Sequence, residues 1–420
     1  MNFKHLLLLI FLIVCNILIS QDENVFLDRD YWKKNPSIET IEKDIKENND
    51  ITELNKYGFD PITWAILEKV SNETIQYLIS KDGNDVNKIT HDKRTYIFWA
   101  AYKDNLELMK FLIEKDAKMD LIDEHGYSLI NFAATTGQTN LKIYEICLKE
   151  GANLNEQINN DGANPLLLLA PYIKDLKTLE FFTERGLDII EVDNNGNNLF
   201  TYAAKGGNYF LMNHALAKKL DPNVNNGMAM IFASRGTRKY KNDINVYKYL
   251  DSVGVSFNGK TKSNQGLLHF EAKRQKDTAL INYLISKDLD LNHEDDNGNS
   301  PITNSIKYNS AEMVEFLINK SKIENYIDKN GNTLFHHAVE RNDTDIFNLI
   351  SKTKNNINHK NKDGNTVLHL AAMKAKNNQL LKYLIELGAK KNILTPFGES
   401  AYDLAKENEL LSKQNLNFLK

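Results

Sequence analysis

The sequence predicts an all-α solenoid in which a β-hairpin turn is followed by two antiparallel helices, repeated about eleven times between capping units. Three observations predict it. Turn residues recur at a nearly constant interval: Gly58, Lys93, Gly126, Gly162, Gly196, Asn226, Asn264, Gly298, Gly331, Gly364 and Gly398 lie 35, 33, 36, 34, 30, 38, 34, 33, 33 and 34 residues apart. Ten of the eleven are Gly or Asn, which tolerate left-handed backbone; Lys93 is the exception. Each turn also leads into two apolar stripes at helical spacing, as in Leu368, Ala371 and Ala372, then Leu380, Leu381, Leu384 and Ile385 before the exit at Gly388. Such a helix pair cannot bury both stripes alone, so it stacks on copies of itself.

In chain order, residues 1–20 read as a secretory signal peptide. Lys4 and His5 precede an apolar run, Leu6 to Ile19, and Ser20-Gln21-Asp22 turns polar. An uncleaved anchor and lipid attachment at Cys15 are the alternatives. After cleavage Cys147 is the remaining cysteine, flanked by Ile146 and Leu148, and is expected to be a buried, unreactive thiol.

Residues 21–54 form an N-terminal capping unit. Val25 to Lys34 is expected to be a first helix, and Ser37 caps a second with Ile38, Ile41 and Ile45 on one stripe. The repeat array runs over 55–392. Its weakest copies lie between about 221 and 275, where the basic stretch Gly236-Thr-Arg-Lys-Tyr-Lys-Asn242 reads as a longer connecting loop. Residues 393–420 are a C-terminal capping repeat.

The stretch Asn361-Lys-Asp-Gly-Asn-Thr-Val-Leu-His-Leu-Ala-Ala-Met373, with Gln379 to Ala389, resembles one ankyrin repeat, with Val367 in place of the usual Pro. The resemblance extends over residues 50–410 through first helices such as Asp60-Pro-Ile-Thr-Trp-Ala65 and Thr333-Leu-Phe-His-His-Ala338. It implies that His269, His336 and His369 occupy the slot whose imidazole bonds neighbouring turns, a structural use and not metal binding. It also implies a concave, partner-binding face made of hairpin tips and first-helix edges. Carried over slot by slot, that face gives Tyr57, Phe59, His91, Arg94, Tyr102, His125, Tyr127 and Tyr172 as partner-binding residues, side-chain types found at binding hot spots.

Composition and motifs narrow the function further. The chain is 42% hydrophobic and 26% charged with a net charge of −4, a folded composition that does not argue for nucleic acid or an acidic membrane surface. There is no Ser or Cys nucleophile in a recognised setting, no Gly-rich phosphate loop and no His-Glu-x-x-His, so no catalytic site, cofactor or metal is expected. Acidic turns such as Asp295-Asp-Asn-Gly298 suggest calcium, but Asn304 and Leu370 stand where the EF-hand pattern needs Glu. Lys262, Lys273, Arg274, Lys307, Lys329, Arg341 and Lys374 read as a solvated basic face.

The expectation is therefore an exported bacterial ankyrin-repeat protein, periplasmic or secreted. It is a monomer with no membrane span in its mature chain, and a non-enzymatic scaffold for another protein. Rival readings are a secreted effector acting on host proteins, and an accessory protein protecting or regulating an envelope enzyme.

Overall fold

All eleven turn positions adopt left-handed backbone, with φ between 55° at Asn226 and 81° at Gly398. Lys93 does so too, at 59°, directly after Asp92 at 57°. These values come from a computed structural model that describes residues 24–321 and 324–420, so the signal peptide expected at 1–20 lies outside the described residues.

Most hairpins close through a backbone bond across the tip, among them Asn55 N–H to Phe59 O (2.8 Å), Asp123 to Tyr127 (2.9 Å), Asp295 to Asn299 (2.8 Å) and Asn361 to Asn365 (2.9 Å). A second device stiffens it. In all eleven copies the residue three before the turn is Asn, Asp or Thr. In most copies its side-chain oxygen accepts from the backbone two and four residues on, as Asp123 does from His125 and Tyr127 (2.9 Å each) and Asp295 from Asn297 (2.9 Å) and Asn299 (2.8 Å). The Thr90 hydroxyl instead donates to the Arg94 carbonyl (2.6 Å), and Asn223 accepts from the Ser256 N–H (2.8 Å). The Asp295 carboxylate is thus taken up by its own turn and by Gln265 Nε2 of the preceding hairpin (2.9 Å). Among the described residues the hairpins form only isolated bridges, Ile122–Ser128 and Lys260–Gly266, and the fold is all-α.

The chain divides into two compact units, one ending at Asn195 and one beginning at Gly196. In the first, the helix pairs are Pro61–Leu67 with Asn72–Ile79, Tyr96–Tyr102 with Leu106–Glu114, Leu129–Thr135 with Leu141–Lys149, and Pro165–Leu169 with Leu176–Thr183. The expected first capping helix is broken into a 3-10 turn, Val25–Leu27, and a short helix, Arg29–Lys33, because Asp28 caps the latter. Ile38–Lys46 follows, capped by Ser37 as expected. First helices pack on successive first helices. Buried alanine pairs, Ala100-Ala101 and Ala133-Ala134, permit that approach; a larger side chain there would cost about 1–3 kcal/mol in overpacking.

The second unit has first helices at Leu199–Lys205, Val224–Arg235, Leu267–Arg274, Pro301–Tyr308, Leu334–Ala338, Val367–Lys374 and Ala401–Glu407. The weak copy is still a repeat. Asn225, Asn226 and Gly227 all have positive φ at the start of its first helix, and a Cβ on Gly227 would lie 1.8 Å from the Ser256 carbonyl oxygen. The basic loop is pinned by Asn242, whose amide donates to the carbonyls of Ala204 (3.1 Å), Lys205 (3.1 Å) and Ala233 (2.9 Å). Asn309 and Asn408 make the same kind of repeat-to-repeat bond.

Candidate binding surface

The tips of residues 55–127 are joined by stacked rings. Phe59 lies between Trp64 (centroids 4.4 Å apart) and His91 of the next hairpin (4.2 Å), both nearly parallel to it. One His91 ring nitrogen faces the Tyr57 carbonyl (2.7 Å) and the other the Asp92 carboxylate (3.3 Å). This fixes the carbonyl side of Tyr57 and leaves its side chain 63% exposed.

The next joint is ionic. Arg94 donates from Nε to Asp123 (2.8 Å) and from Nη1 to Asp92 (2.8 Å), and its guanidinium lies 4.3 Å over the Phe132 ring. His125 reaches the same Asp92 carboxylate at 3.2 Å, and the Glu124 N–H donates to the Asp92 carbonyl (2.9 Å). Below these tips, Asp60 is fully buried and held by the Tyr96 hydroxyl and by Lys88 at 3.1 Å. Burial, with Asp60 beside it, pushes the Tyr96 phenol far above its ordinary range.

Six of the eight sequence-assigned residues are at least partly exposed: Tyr57, Phe59, His91, Tyr102, His125 and Tyr127. Two are not, which corrects the expectation. Arg94 is 4% exposed because two carboxylates and two aromatic faces enclose it. Tyr172 is 5% exposed, its ring lying over Gly137, where a Cβ would come within 2.8 Å. Both hold the stack and do not face a partner.

Several basic residues of the second unit also bond to the backbone. Arg274 donates to the Ser234 carbonyl, Arg341 to those of Ile306 (3.2 Å) and Asn309, and Lys329 to that of Asp295 (2.9 Å). Lys307 is held by Asn299 (2.8 Å), and burial lowers its pKa. Arg274, Arg341 and Lys329 thus tie repeats together, while Lys262, Lys273, Arg274, Lys329 and Lys374 remain exposed, as a solvated basic face requires.

The histidine slot is structural, as the resemblance implied. The Nδ1 atoms of His269, His336 and His369 accept from Gly266, Thr333 and Thr366 N–H (3.2, 3.1 and 3.1 Å). Their Nε2 atoms face the carbonyls of Asn299, Asn365 and Ile393 (3.1, 3.1 and 2.9 Å) in the next hairpin. Burial lowers all three pKa values, that of His336 to about 4. Cys147 is 2% exposed and burial pushes its thiol up to about 12, leaving it protonated and inert at neutral pH. Among the described residues no group of three or more His, Cys, Asp or Glu side chains could hold a metal ion, and no helix is long and apolar enough to cross a membrane.

Family models recognise the same repeats. A model of ankyrin repeats in three copies matches residues 33–123, 97–193 and 268–361, and a second ankyrin-repeat model matches 349–405. The chain belongs to the ankyrin-repeat family. The unmatched stretch, 194–267, contains most of the weak copies, whose helix pairs the structure nonetheless forms. The ankyrin chain is similar to the ankyrin repeat protein nuc-2 of Neurospora crassa (24% identical over 44% of this chain) and the phosphocholine transferase AnkX of Legionella pneumophila (27% over 40%). An ankyrin repeat protein of Rickettsia felis is 26% identical over 63% of this chain. The matched segments span 17% of each of the first two proteins and 57% of the third.

The overall charge hides an imbalance that composition alone did not show. Residues 24–195 carry 31 acidic and 20 basic side chains, net −11, whereas residues 196–420 carry 23 acidic and 31 basic, net +8.

Proposed function

We propose that this ankyrin-repeat protein is a non-enzymatic scaffold that binds another protein through the hairpin tips of its first unit. One observation carries the reading. Tyr57, Phe59, His91, His125 and Tyr127 are presented on tips already locked by buried ion pairs and ring stacks, with Tyr102 partly exposed at the end of the helix Tyr96–Tyr102 beside them. A surface rigid before binding loses little entropy on association, and partly exposed aromatics are what such a surface uses for affinity. The apolar run from Leu6 to Ile19 supports export, to the periplasm or beyond. An effector role is the second reading, favoured by the similarity to the Legionella transferase; that similarity is confined to 17% of the transferase.

The test is capture of native partners by the full chain and by Tyr57→Ala/Tyr102→Ala/Tyr127→Ala. The variant is expected to keep its melting temperature and lose at least about tenfold in capture. Undiminished capture would remove the tips from the binding surface. Recovery of the captured partner in a host-cell fraction favours the effector, and in the envelope fraction the scaffold.

A further inference from the structure

Four residues before each turn of the first unit stands an aliphatic side chain: Leu54, Ile89, Ile122, Ile158 and Val192. They are 43, 49, 56, 56 and 50% exposed. Exposed aliphatics scattered singly need no explanation, but five in register on five consecutive hairpins make a continuous row. In the second unit the same slot holds Pro222, Lys260, Glu294, Ile327, Lys360 and Leu394, so charges interrupt it.

The middle of the row has a socket. A cleft of about 190 Å³ opens beside Ile122, lined by Met119, Ile130 and Cys147 and rimmed by the Asp120 and Glu150 side chains. Asp120, Glu124 and Glu156, two residues from rungs of the row, are all exposed. The chemistry is aliphatic along the row and acidic beside its Ile122 and Ile158 rungs, with Lys56 beside Leu54, on the unit whose net charge is −11.

We propose that this row docks an extended basic segment of the partner protein, aliphatic side chains on the rungs and lysine or arginine heads on Asp120, Glu124 and Glu150. The proposal rests on the reading that the hairpins of the first unit are the binding surface. Stacked helices lie about 8–10 Å apart, so rungs recur at that interval. A polyproline-type chain rises about 9 Å in three residues and presents one side chain per rung. The acidic margin then selects basic over acidic segments and speeds their encounter.

The probe is a synthetic peptide of five Leu-Lys-Pro repeats, titrated calorimetrically into the full chain, with a Leu-Glu-Pro peptide as control. Ile89→Ser/Ile122→Ser/Ile158→Ser is expected to weaken binding by about thirtyfold or more, each covered aliphatic group contributing a factor of several. Asp120→Asn/Glu150→Gln weakens it about fivefold and flattens its salt dependence. Ile327→Ser/Leu394→Ser in the second unit changes nothing. Equal binding by the triple variant, or of the glutamate peptide, overturns the proposal. If the lysine peptide does not bind while the tyrosine variant loses its protein partner, the chemistry proposed here is wrong and the tip surface stands. If the tyrosine variant keeps its partner while the serine variant loses the peptide, the reverse holds.

Discussion

In the first unit the position three residues after each first-helix cap holds Thr63, Phe98, Asn131 and Leu167; in the second, the same position holds Thr201, His269, Thr303, His336 and His369. The two units use the same helix pair and share amide-to-carbonyl joints, as Gln138 to Tyr102 (2.7 Å) in the first, but differ in the other means that join their copies. Residues 24–195 rely on ring stacks and on buried pairs such as Arg94–Asp123 and Lys88–Asp60. Residues 196–420 rely on neutral imidazoles and side-chain amides donating to carbonyls of adjacent repeats. The difference shows that a repeat fold constrains shape at each joint and leaves its chemistry free. The joints of one unit can then respond to pH or mutation unlike those of the other.

The largest expected effect comes from breaking an ionic joint. Arg94→Met leaves Asp123 without its buried cation and should destabilise the first unit by about 3–5 kcal/mol, read from denaturant unfolding. A charge removed from the second unit, Lys374→Met, breaks only an exposed pair with Glu340 (3.2 Å) and should cost less than about 1 kcal/mol. Equal costs would erase the distinction between the units.

A smaller change should be favourable. Asn131 is fully buried and neither atom of its amide has a hydrogen-bond partner. Asn131→Leu keeps its size and removes the unpaired groups, and should raise stability by about 1–3 kcal/mol. A fall in melting temperature would mean that the amide does something the geometry does not show.

Much of this fold was legible because turn chemistry is local. A left-handed turn favours Gly or Asn, and ten of the eleven positions marked by the first-helix pattern meet that preference. Lys93 takes the same conformation because Thr90 closes the hairpin on Arg94 with both its N–H (2.8 Å) and its hydroxyl (2.6 Å). The Asn, Asp or Thr three residues before every turn was equally visible and was missed; its regularity would have turned the acidic turns from calcium suspects into turn caps. The site was less legible because exposure depends on the neighbouring repeat. Arg94 occupies an outward slot by position, but Asp123 and Phe132 of the following copy draw it inward. The aliphatic row escaped notice because its residues look like ordinary hairpin residues until their exposure is known.

Acid should separate the units most clearly. His269, His336 and His369 are held below their ordinary pKa by burial, so the fold needs them neutral. What they contribute is complete above the unfolded value near 6.5 and is lost as pH falls toward 4, on the order of 3 kcal/mol for His336 alone. Glu271 works the other way: burial raises its pKa, and protonation relieves that penalty in part of the same range. Net charge favours the same unit's opening, because acid drives residues 196–420 further from neutrality and brings residues 24–195 toward it.

Hydrogen exchange followed by mass spectrometry between pH 6.5 and 4.5, corrected for intrinsic rates, tests this directly. The account predicts that the first helices Leu267–Arg274, Leu334–Ala338 and Val367–Lys374 lose protection while Tyr96–Tyr102 and Leu129–Thr135 retain it. Loss of protection in both units together, or in the first unit ahead of the second, would contradict it.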